Sequence, residues 1–146
     1  MLKPLRKIKQ AEKKSDEQLE IEAREEVVLR RAESLKVLDT NPTTFAMTAG
    51  VEIKDLSAYL DTLRGLSLVD VRSRQTVSGA AYRVLVDLAA DEVRQGRSPN
   101  LFATVVPRRS IWAKVGGSEE AFNTALENLR FADLAFETGE DSYVVL

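Results

Sequence analysis

The sequence contains no cysteine and no histidine. These side chains are the usual ligands of zinc, haem and iron–sulfur clusters, and histidine is the base that activates most serine and cysteine nucleophiles. We therefore expect no bound cofactor, no metal site and no catalytic site of these classes. The absence of cysteine also excludes a disulfide framework, which suits a reducing compartment.

Phosphate-binding loops and long apolar runs are missing as well. Gly116 and Gly117 are not followed by the Lys-Ser or Lys-Thr pair of a phosphate loop. No apolar run approaches the roughly 18 residues of a membrane span, and the basic start lacks the apolar stretch of a signal peptide. Neighbouring acids such as Asp91 and Glu92 face different directions on a helix, so they do not form a catalytic pair. We expect a cytoplasmic protein that is not an enzyme and has no membrane segment.

Charge is distributed unevenly along the chain. Residues 1–14 contain six basic side chains and one acidic side chain, a net charge of +5, whereas the whole chain has a net charge of −2. We predict an arm that lies on nucleic acid or on an anionic partner. A solvated terminus is one alternative, and a short amphipathic docking helix is another because Leu2, Leu5 and Ile8 recur every three residues. The basic side chains of the predicted arm are Lys3, Arg6, Lys7, Lys9, Lys13 and Lys14.

A long helix is predicted over residues 15–38. The sequence from Ser15 to Gln18 has the form of a capping box, which indicates where the helix starts, and the segment ending in Pro42 stops it. The first half is charged and the second half is apolar, so we expect the second half to pack and the first half to project. Self-association through residues 15–38 stays open, although too few heptads are present for a coiled coil.

A helix, a turn and a second helix follow. Residues 42–50 are a short helix candidate, and Gly50 with Val51 makes the turn. The second helix keeps a 3, 4, 3 spacing of apolar residues at Ile53, Leu56, Leu60 and Leu63.

After Gly65 the pattern changes to that of β-structure. Residues 68–71 and 82–86 are predicted to be two strands of a hairpin, after which Asp87 would cap a short helix ending at Gly96. The alternative is a single helix over residues 80–95.

The same order recurs 66 residues later. Residues 108–115 form a short helix candidate, a second helix has four apolar residues on one face, and residues 134–146 form a hairpin. The shift of 66 aligns Gly50 with Gly116 and Leu63 with Leu129. The predicted organisation is a basic arm at 1–14, a long helix at 15–38 and two similar units at 39–88 and 89–146.

These two units resemble the winged helix-turn-helix superfamily. The resemblance lies in residues 43–50 with 55–56 and 60–69 of the first unit, and in residues 130–146 with the preceding helix pair of the second. It implies a mainly α fold with small β-hairpins, an α+β class, in which tandem winged helices follow a long amphipathic helix. It also implies a longer helix in the DNA major groove and a wing on the backbone.

The resemblance implies DNA contacts in the first unit. The candidate residues of its longer helix are Lys54, Ser57 and Thr62, and those of its wing are Arg72, Arg74 and Arg83. The second unit exposes mainly acids, which repel phosphate, and Trp112 is expected to pack in its core.

We therefore predict a DNA-binding protein with a role in transcription regulation or DNA architecture. The basic arm and the first unit would contact double-stranded DNA, and residues 89–146 would bind a protein partner or a second copy. The alternative is a protein–protein interaction module that binds no nucleic acid.

Overall fold

The computed structural model describes residues 14–139 and 141–146 of the chain. Over that part the protein is mainly helical and has one small antiparallel sheet, which confirms the predicted class of helices with small β elements. The elements are α1 (Asp16–Leu35), α2 (Pro42–Ala49), α3 (Leu56–Gly65), α4 (Val77–Arg94), β1 (Val106–Pro107), α5 (Arg108–Val115), α6 (Glu119–Phe131), β2 (Ala135–Glu137) and β3 (Ser142–Val145), with 3₁₀ turns at Ile53–Asp55 and Leu101–Ala103.

Helix α1 begins where its sequence predicts. The Ser15 side chain accepts a hydrogen bond from the Gln18 backbone N–H at 3.1 Å and so caps the first turn. Val28, Ala32 and Leu35 in the second half are buried, whereas residues 14–20 are exposed. The helix ends slightly before the predicted residue 38, because a turn follows over residues 36–39.

Helices α2 and α3 form the predicted pair. The Asn41 side chain caps α2 by accepting a hydrogen bond from the Thr44 N–H at 2.8 Å, and Pro42 lies in the first turn, where its missing N–H costs nothing. Gly50 ends α2 with φ +73°, a left-handed conformation that favours glycine.

The predicted hairpin of residues 68–86 is wrong. The chain makes only a tight turn, closed by a single β-bridge between Val69 and Gln75, and α4 then starts at Val77. The Thr76 side chain caps α4 by accepting a hydrogen bond from the Gly79 N–H at 2.9 Å. The alternative of one helix over residues 80–95 is the correct prediction for this segment.

The environment of α4 explains the error. The helix packs against α1, α5 and α6, and from Ser78 to Val86 every residue except Ala80 and Arg83 is buried. A helix of this kind lacks the wide polar face by which periodicity distinguishes a helix from a buried strand. Asp87 does not cap a helix; it lies inside α4 and accepts a hydrogen bond at 2.9 Å from Lys36, in the turn after α1.

The second predicted hairpin is present and belongs to a three-stranded sheet. Strands β2 and β3 are antiparallel, with Phe136 opposite Val144 and Glu137 opposite Tyr143. Strand β1, which the sequence pattern did not indicate, pairs with the other side of β3, so the order is β1–β3–β2.

The helix pair recurs after 66 residues with matching bounds. Helix α2 occupies residues 42–49 and α5 occupies residues 108–115. The 3₁₀ turn together with α3 covers residues 53–65, and α6 covers residues 119–131. Gly50 and Gly116 both have φ +73°, but their ψ values differ, at +30° and −161°. The first half thus repeats the helix pair of the second half but ends it with a turn instead of paired strands.

One hydrophobic core joins the two halves. Leu35 and Phe45 from the first half and Phe122 from the second half belong to the same buried cluster as Tyr82 of α4. Trp112 is partly buried and stacks on Phe122 with ring centroids 6.0 Å apart. The division between residues 88 and 89 expected from the sequence falls inside α4. None of the helices in the described part combines the length and the apolar character that a membrane crossing needs.

Candidate functional site

Most of the predicted basic arm lies outside the described residues. This applies to Lys3, Arg6, Lys7, Lys9 and Lys13. Lys14 is described, and its Nζ lies 2.7 Å from Glu22 Oε1 of α1. The hydrogen bond from Lys14 lowers the pKa of Glu22. Lys14 is therefore engaged with α1.

The turn after α3 is organised around Asp70. Its carboxylate accepts hydrogen bonds from the backbone N–H groups of Arg72 at 2.8 Å and Arg74 at 2.9 Å, and Arg74 Nε lies 3.1 Å from its other oxygen. These contacts, above all the Arg74 backbone N–H, lower the pKa of Asp70. Arg64 of α3 donates to the Ser73 hydroxyl at 2.6 Å and so holds the turn against the helix. The turn thus uses Arg74 as a structural partner.

The structure does not bring the three predicted wing arginines together on a ribbon. Residues 82–86 are helical, so Arg83 lies within α4 and not on a strand opposite Arg72 and Arg74. Arg72 is exposed and forms no ion pair with another described residue. The predicted basic ribbon is therefore wrong, whereas the DNA contacts of these three arginines stay a prediction.

The predicted contact residues of α3 and its 3₁₀ turn are exposed, yet two of them have neighbours of their own. Lys54 Nζ lies 3.3 Å from a Glu52 carboxylate oxygen. The Thr62 hydroxyl donates to the Ala58 carbonyl at 3.1 Å. Ser57 is exposed. Because Lys54 and Thr62 already donate to neighbours, this surface has few hydrogen-bond donors left for DNA base edges.

Helix α6, the longer helix of the second predicted unit, presents acidic side chains to solvent. Glu119, Glu120 and Glu127 are all exposed on it. Arg108 of α5 does not offset them at the surface, because it binds Glu119 and Asn123. Its guanidinium also lies over the Trp112 and Phe122 rings.

Sequence reasoning missed a groove between the end of α6 and strand β2, in which apolar and charged side chains lie side by side. The groove has a volume of about 460 Å³, and its apolar lining includes Phe131, Phe136 and Leu146. The three side chains are 94%, 57% and 41% exposed, respectively. Several large apolar side chains exposed at one place are typical of a binding surface.

The sequence does carry a signal for Phe131. The buried face of α6 contains Phe122, Ala125 and Leu129. Phe131 follows Leu129 by two positions, which is about 200° around a helix of 3.6 residues per turn. A large apolar residue off the buried face is the signal that would have identified the groove.

Acidic side chains surround the groove. Glu127, Asp133 and Glu137 line it together with one basic residue, Arg130. Arg130 lies 3.0 Å from a Glu137 carboxylate oxygen and neutralises it. Glu127 and Asp133 form no ion pair within the described part, so the rim favours a positively charged ligand.

The apolar surface extends from the groove to α1. A smaller cavity of about 190 Å³ shares Leu146 with the groove and is also lined by Val27 and Phe102. The Arg24 guanidinium covers the Phe102 ring at 4.2 Å from its centroid. Val27 is 57% exposed. A ligand in the groove therefore has a neighbouring apolar contact on α1.

Among the described residues, no three acidic side chains converge as a set of metal ligands. Comparison of the chain with protein-family models, with curated proteins and with solved structures gives no match. The candidate site is thus defined by the geometry of this chain alone.

Proposed function

We propose that the chain is a non-enzymatic interaction module that binds a protein partner in the groove formed by Phe131, Phe136 and Leu146. The observation that carries this proposal is the 94% exposure of Phe131. Burying a phenylalanine side chain is worth about 1.5–3 kcal/mol, and a partner that covers the groove would gain this free energy.

Both halves are built, in this proposal, on the winged helix-turn-helix plan. In support, residues 77–146 run through α4, β1, α5, α6 and the β2–β3 hairpin, the order of one winged unit. Helices α1, α2 and α3 have the matching order in the first half, where the bridge between Val69 and Gln75 stands in place of a wing. The second unit is then the complete one, and its wing strand β2 lines the groove.

The fold does not need a side chain at position 131. The equivalent position in the first half, 66 residues earlier, is Gly65, which ends α3 as Phe131 ends α6. The same helix end therefore forms without any side chain. A large apolar side chain that is exposed and unnecessary for packing is best explained by recognition.

The partner that fits the groove has an apolar anchor flanked by lysine or arginine. The anchor would pack on Phe131 and Phe136, and the basic flanks would face Glu127 and Asp133. Charges at such a rim act mainly on the association rate and on the choice of partner. An acidic partner would be repelled.

The test places a photo-crosslinking phenylalanine analogue at position 131 of the full chain in its native cells. We expect an adduct with a protein whose crosslinked segment is apolar and basic, and we expect Phe136→Asp in the same chain to reduce its yield at least tenfold. The matched control has the analogue at Val71, which is 87% exposed and lies outside the groove. Equal adducts from positions 71 and 131, or adducts that survive Phe136→Asp, would overturn the proposal.

Double-stranded DNA is the second candidate partner. The observations in its favour are the net charge of +5 over residues 1–14 and the exposed cations Arg109 and Lys114 of α5, which make no ion pair within the described residues. Binding through about five phosphates should weaken with salt at a log–log slope near −4.5. If the full chain fails to bind a duplex at low salt, this candidate is excluded, while the groove proposal is unaffected.

A further inference from the structure

We propose that the partner docks in the groove as an extended strand that pairs with the free edge of β2. This inference rests on the proposed function, because it specifies the backbone conformation in which the partner occupies the same groove. Three features support it: the unpaired backbone groups of β2, the side chains beside them, and the contrast with the other edge of the sheet.

The outer edge of β2 has backbone groups without hydrogen-bond partners. The Thr138 N–H donates to the Ser142 carbonyl of β3 at 2.9 Å, so these two residues form a hydrogen-bonded pair. Bonded and non-bonded pairs alternate along antiparallel strands. Phe136 therefore bonds to β3, whereas Ala135 and Glu137 direct their N–H and C=O groups away from it. Those four groups form no hydrogen bond with another described residue, which leaves an edge that can accept a strand.

A strand on this edge also fills the groove, because all three residues of β2 line it. In antiparallel pairing, the partner residue opposite Phe136 would have its Cα about 4.5 Å from that of Phe136 and its side chain on the same face as the ring. Phe131 lines the same groove. An apolar side chain at this position of the partner is therefore within reach of both exposed rings.

The charge of the groove favours a basic partner strand over β2 of a second copy. The lining contains Glu127, Asp133 and Glu137 but only one base, Arg130, a net charge of −2. Two copies that face each other would bring these acids together, and like charges on paired strands are destabilising. A strand with lysine or arginine on each side of its apolar residue has the complementary charge.

The other edge of the described sheet is blocked. Strand β1 has only two residues and ends with Pro107, which has no N–H to donate to an added strand. Leu88 and Asp91 of α4 line the surface beside β1. Strand addition is therefore expected at β2 and not at β1.

The test selects peptides that bind the purified full chain from a displayed library of random nine-residue peptides. We expect the selected peptides to have an apolar residue between lysines or arginines, and to bind the Phe136→Asp variant at least tenfold more weakly. Amide hydrogen exchange at Ala135 and Glu137 should slow at least tenfold on binding. Exchange at Gly117, which precedes the opposite end of α6, should stay unchanged.

Two backbone-methylated forms of a selected peptide give the matched control. In the proposed pairing, the residues on either side of the apolar anchor donate their N–H groups to β2, and the N–H of the anchor points away. Methylation of the two flanking N–H groups should therefore weaken binding at least tenfold. Methylation of the anchor N–H should change the affinity by less than twofold.

Failure of this inference is distinguishable from failure of the proposed function. Peptides that need Phe136 but leave exchange at Ala135 and Glu137 unchanged, or lose affinity equally from both methylations, would overturn strand pairing and leave the groove as a partner site. A library without binders would also overturn it. Slowed exchange without peptide, together with a dimeric mass, would show a second copy on the edge instead. Intact strand pairing with no adduct from position 131 in cells would overturn the proposed function.

Discussion

Ser67 and Asp133, which are 66 residues apart, have the same left-handed backbone conformation, with φ +63° and +58°. Each follows the end of a helix, and in each case the N–H of the next residue donates to a carbonyl five residues earlier, at 3.0 and 2.9 Å. Ser73 and Gly139 repeat the relationship, with φ +59° and +62°. The backbone path of the two halves therefore recurs even where their side chains differ.

Glycine at either position should stabilise the protein. Left-handed backbone costs a residue with a Cβ about 1 kcal/mol, so we expect Ser67→Gly and Asp133→Gly each to raise the free energy of unfolding by about 0.5–1 kcal/mol. Urea unfolding measures the change. Ser57→Gly is the control. Ser57 is an exposed residue of α3, where glycine is a poor helix former, so this substitution should lower the free energy of unfolding by about 0.5–1 kcal/mol. Equal losses from Ser67→Gly and Ser57→Gly would contradict the shared turn conformation.

Alanine at Gly79 should destabilise the protein although the residue is helical. A Cβ there would lie 2.2 Å from the Leu68 backbone carbonyl oxygen, which cannot move without shifting the turn. We expect a net loss of about 1–3 kcal/mol in the free energy of unfolding, as is usual for overpacking.

Gly65→Ala is the matched control for Gly79→Ala. A Cβ at Gly65 meets nothing within 4 Å, and the position is helical. The substitution should therefore be neutral or stabilise by up to about 1 kcal/mol. If both alanine variants were stabilising, the close approach of α4 to Leu68 would be wrong.

Asp70 should make the turn sensitive to acid. Because its folded pKa lies below the usual value of about 4, its contribution to stability is fully present above pH 4 and is lost as the pH falls through the folded pKa. Asp70→Asn keeps an acceptor oxygen but has no charge to lose. In urea unfolding between pH 7 and pH 2, the stability difference between wild type and variant should shrink below pH 4. A constant difference over this range would show that the Asp70 charge has no part in the turn.

Truncation should destabilise the protein strongly at Phe122 but hardly at all at Phe131. Phe131→Ser removes a side chain that is 94% exposed, so the free energy of unfolding should change by less than about 0.5 kcal/mol. Phe122→Ala empties a fully buried site and should cost about 3–5 kcal/mol. Thermal or urea unfolding of both variants measures these changes in the free energy of unfolding. A loss above about 1 kcal/mol for Phe131→Ser would mean that the ring supports the fold.

Local signals explain which elements the sequence predicts well. Ser15, Asn41 and Gly50 act through hydrogen bonds or backbone conformation within a few residues, so their effects can be read without a tertiary structure. The hairpin near the end of the second half is likewise set by alternation around a tight turn. The segment from Tyr82 to Val86 is different, because its burial against three other helices removes the polar face that would have identified it as helical.

The candidate site was harder to predict than the fold. The arginine cluster of the first unit depends on a ribbon that is replaced by the Asp70 turn. The closing hydrogen bond of that turn, from Asp70 N–H to the Arg74 carbonyl, spans four residues, as does the bond from Thr138 N–H to the Ser142 carbonyl in the second half. Phe131 looks like one more apolar helix residue until the bounds of α6 and the path of β2 are known. Exposure is a tertiary property, and the sequence alone offers only the mismatch between Phe131 and its buried neighbours.

The position of helix α4 in the core determines how the protein unfolds. It contributes buried side chains to the packing of α1 on one side and of α5 and α6 on the other. Neither half retains a closed core once α4 is lost, so separating the halves exposes apolar surface in both at the same time. The protein should therefore melt as one cooperative unit, and its two similar units are architectural repeats but not independent folding domains.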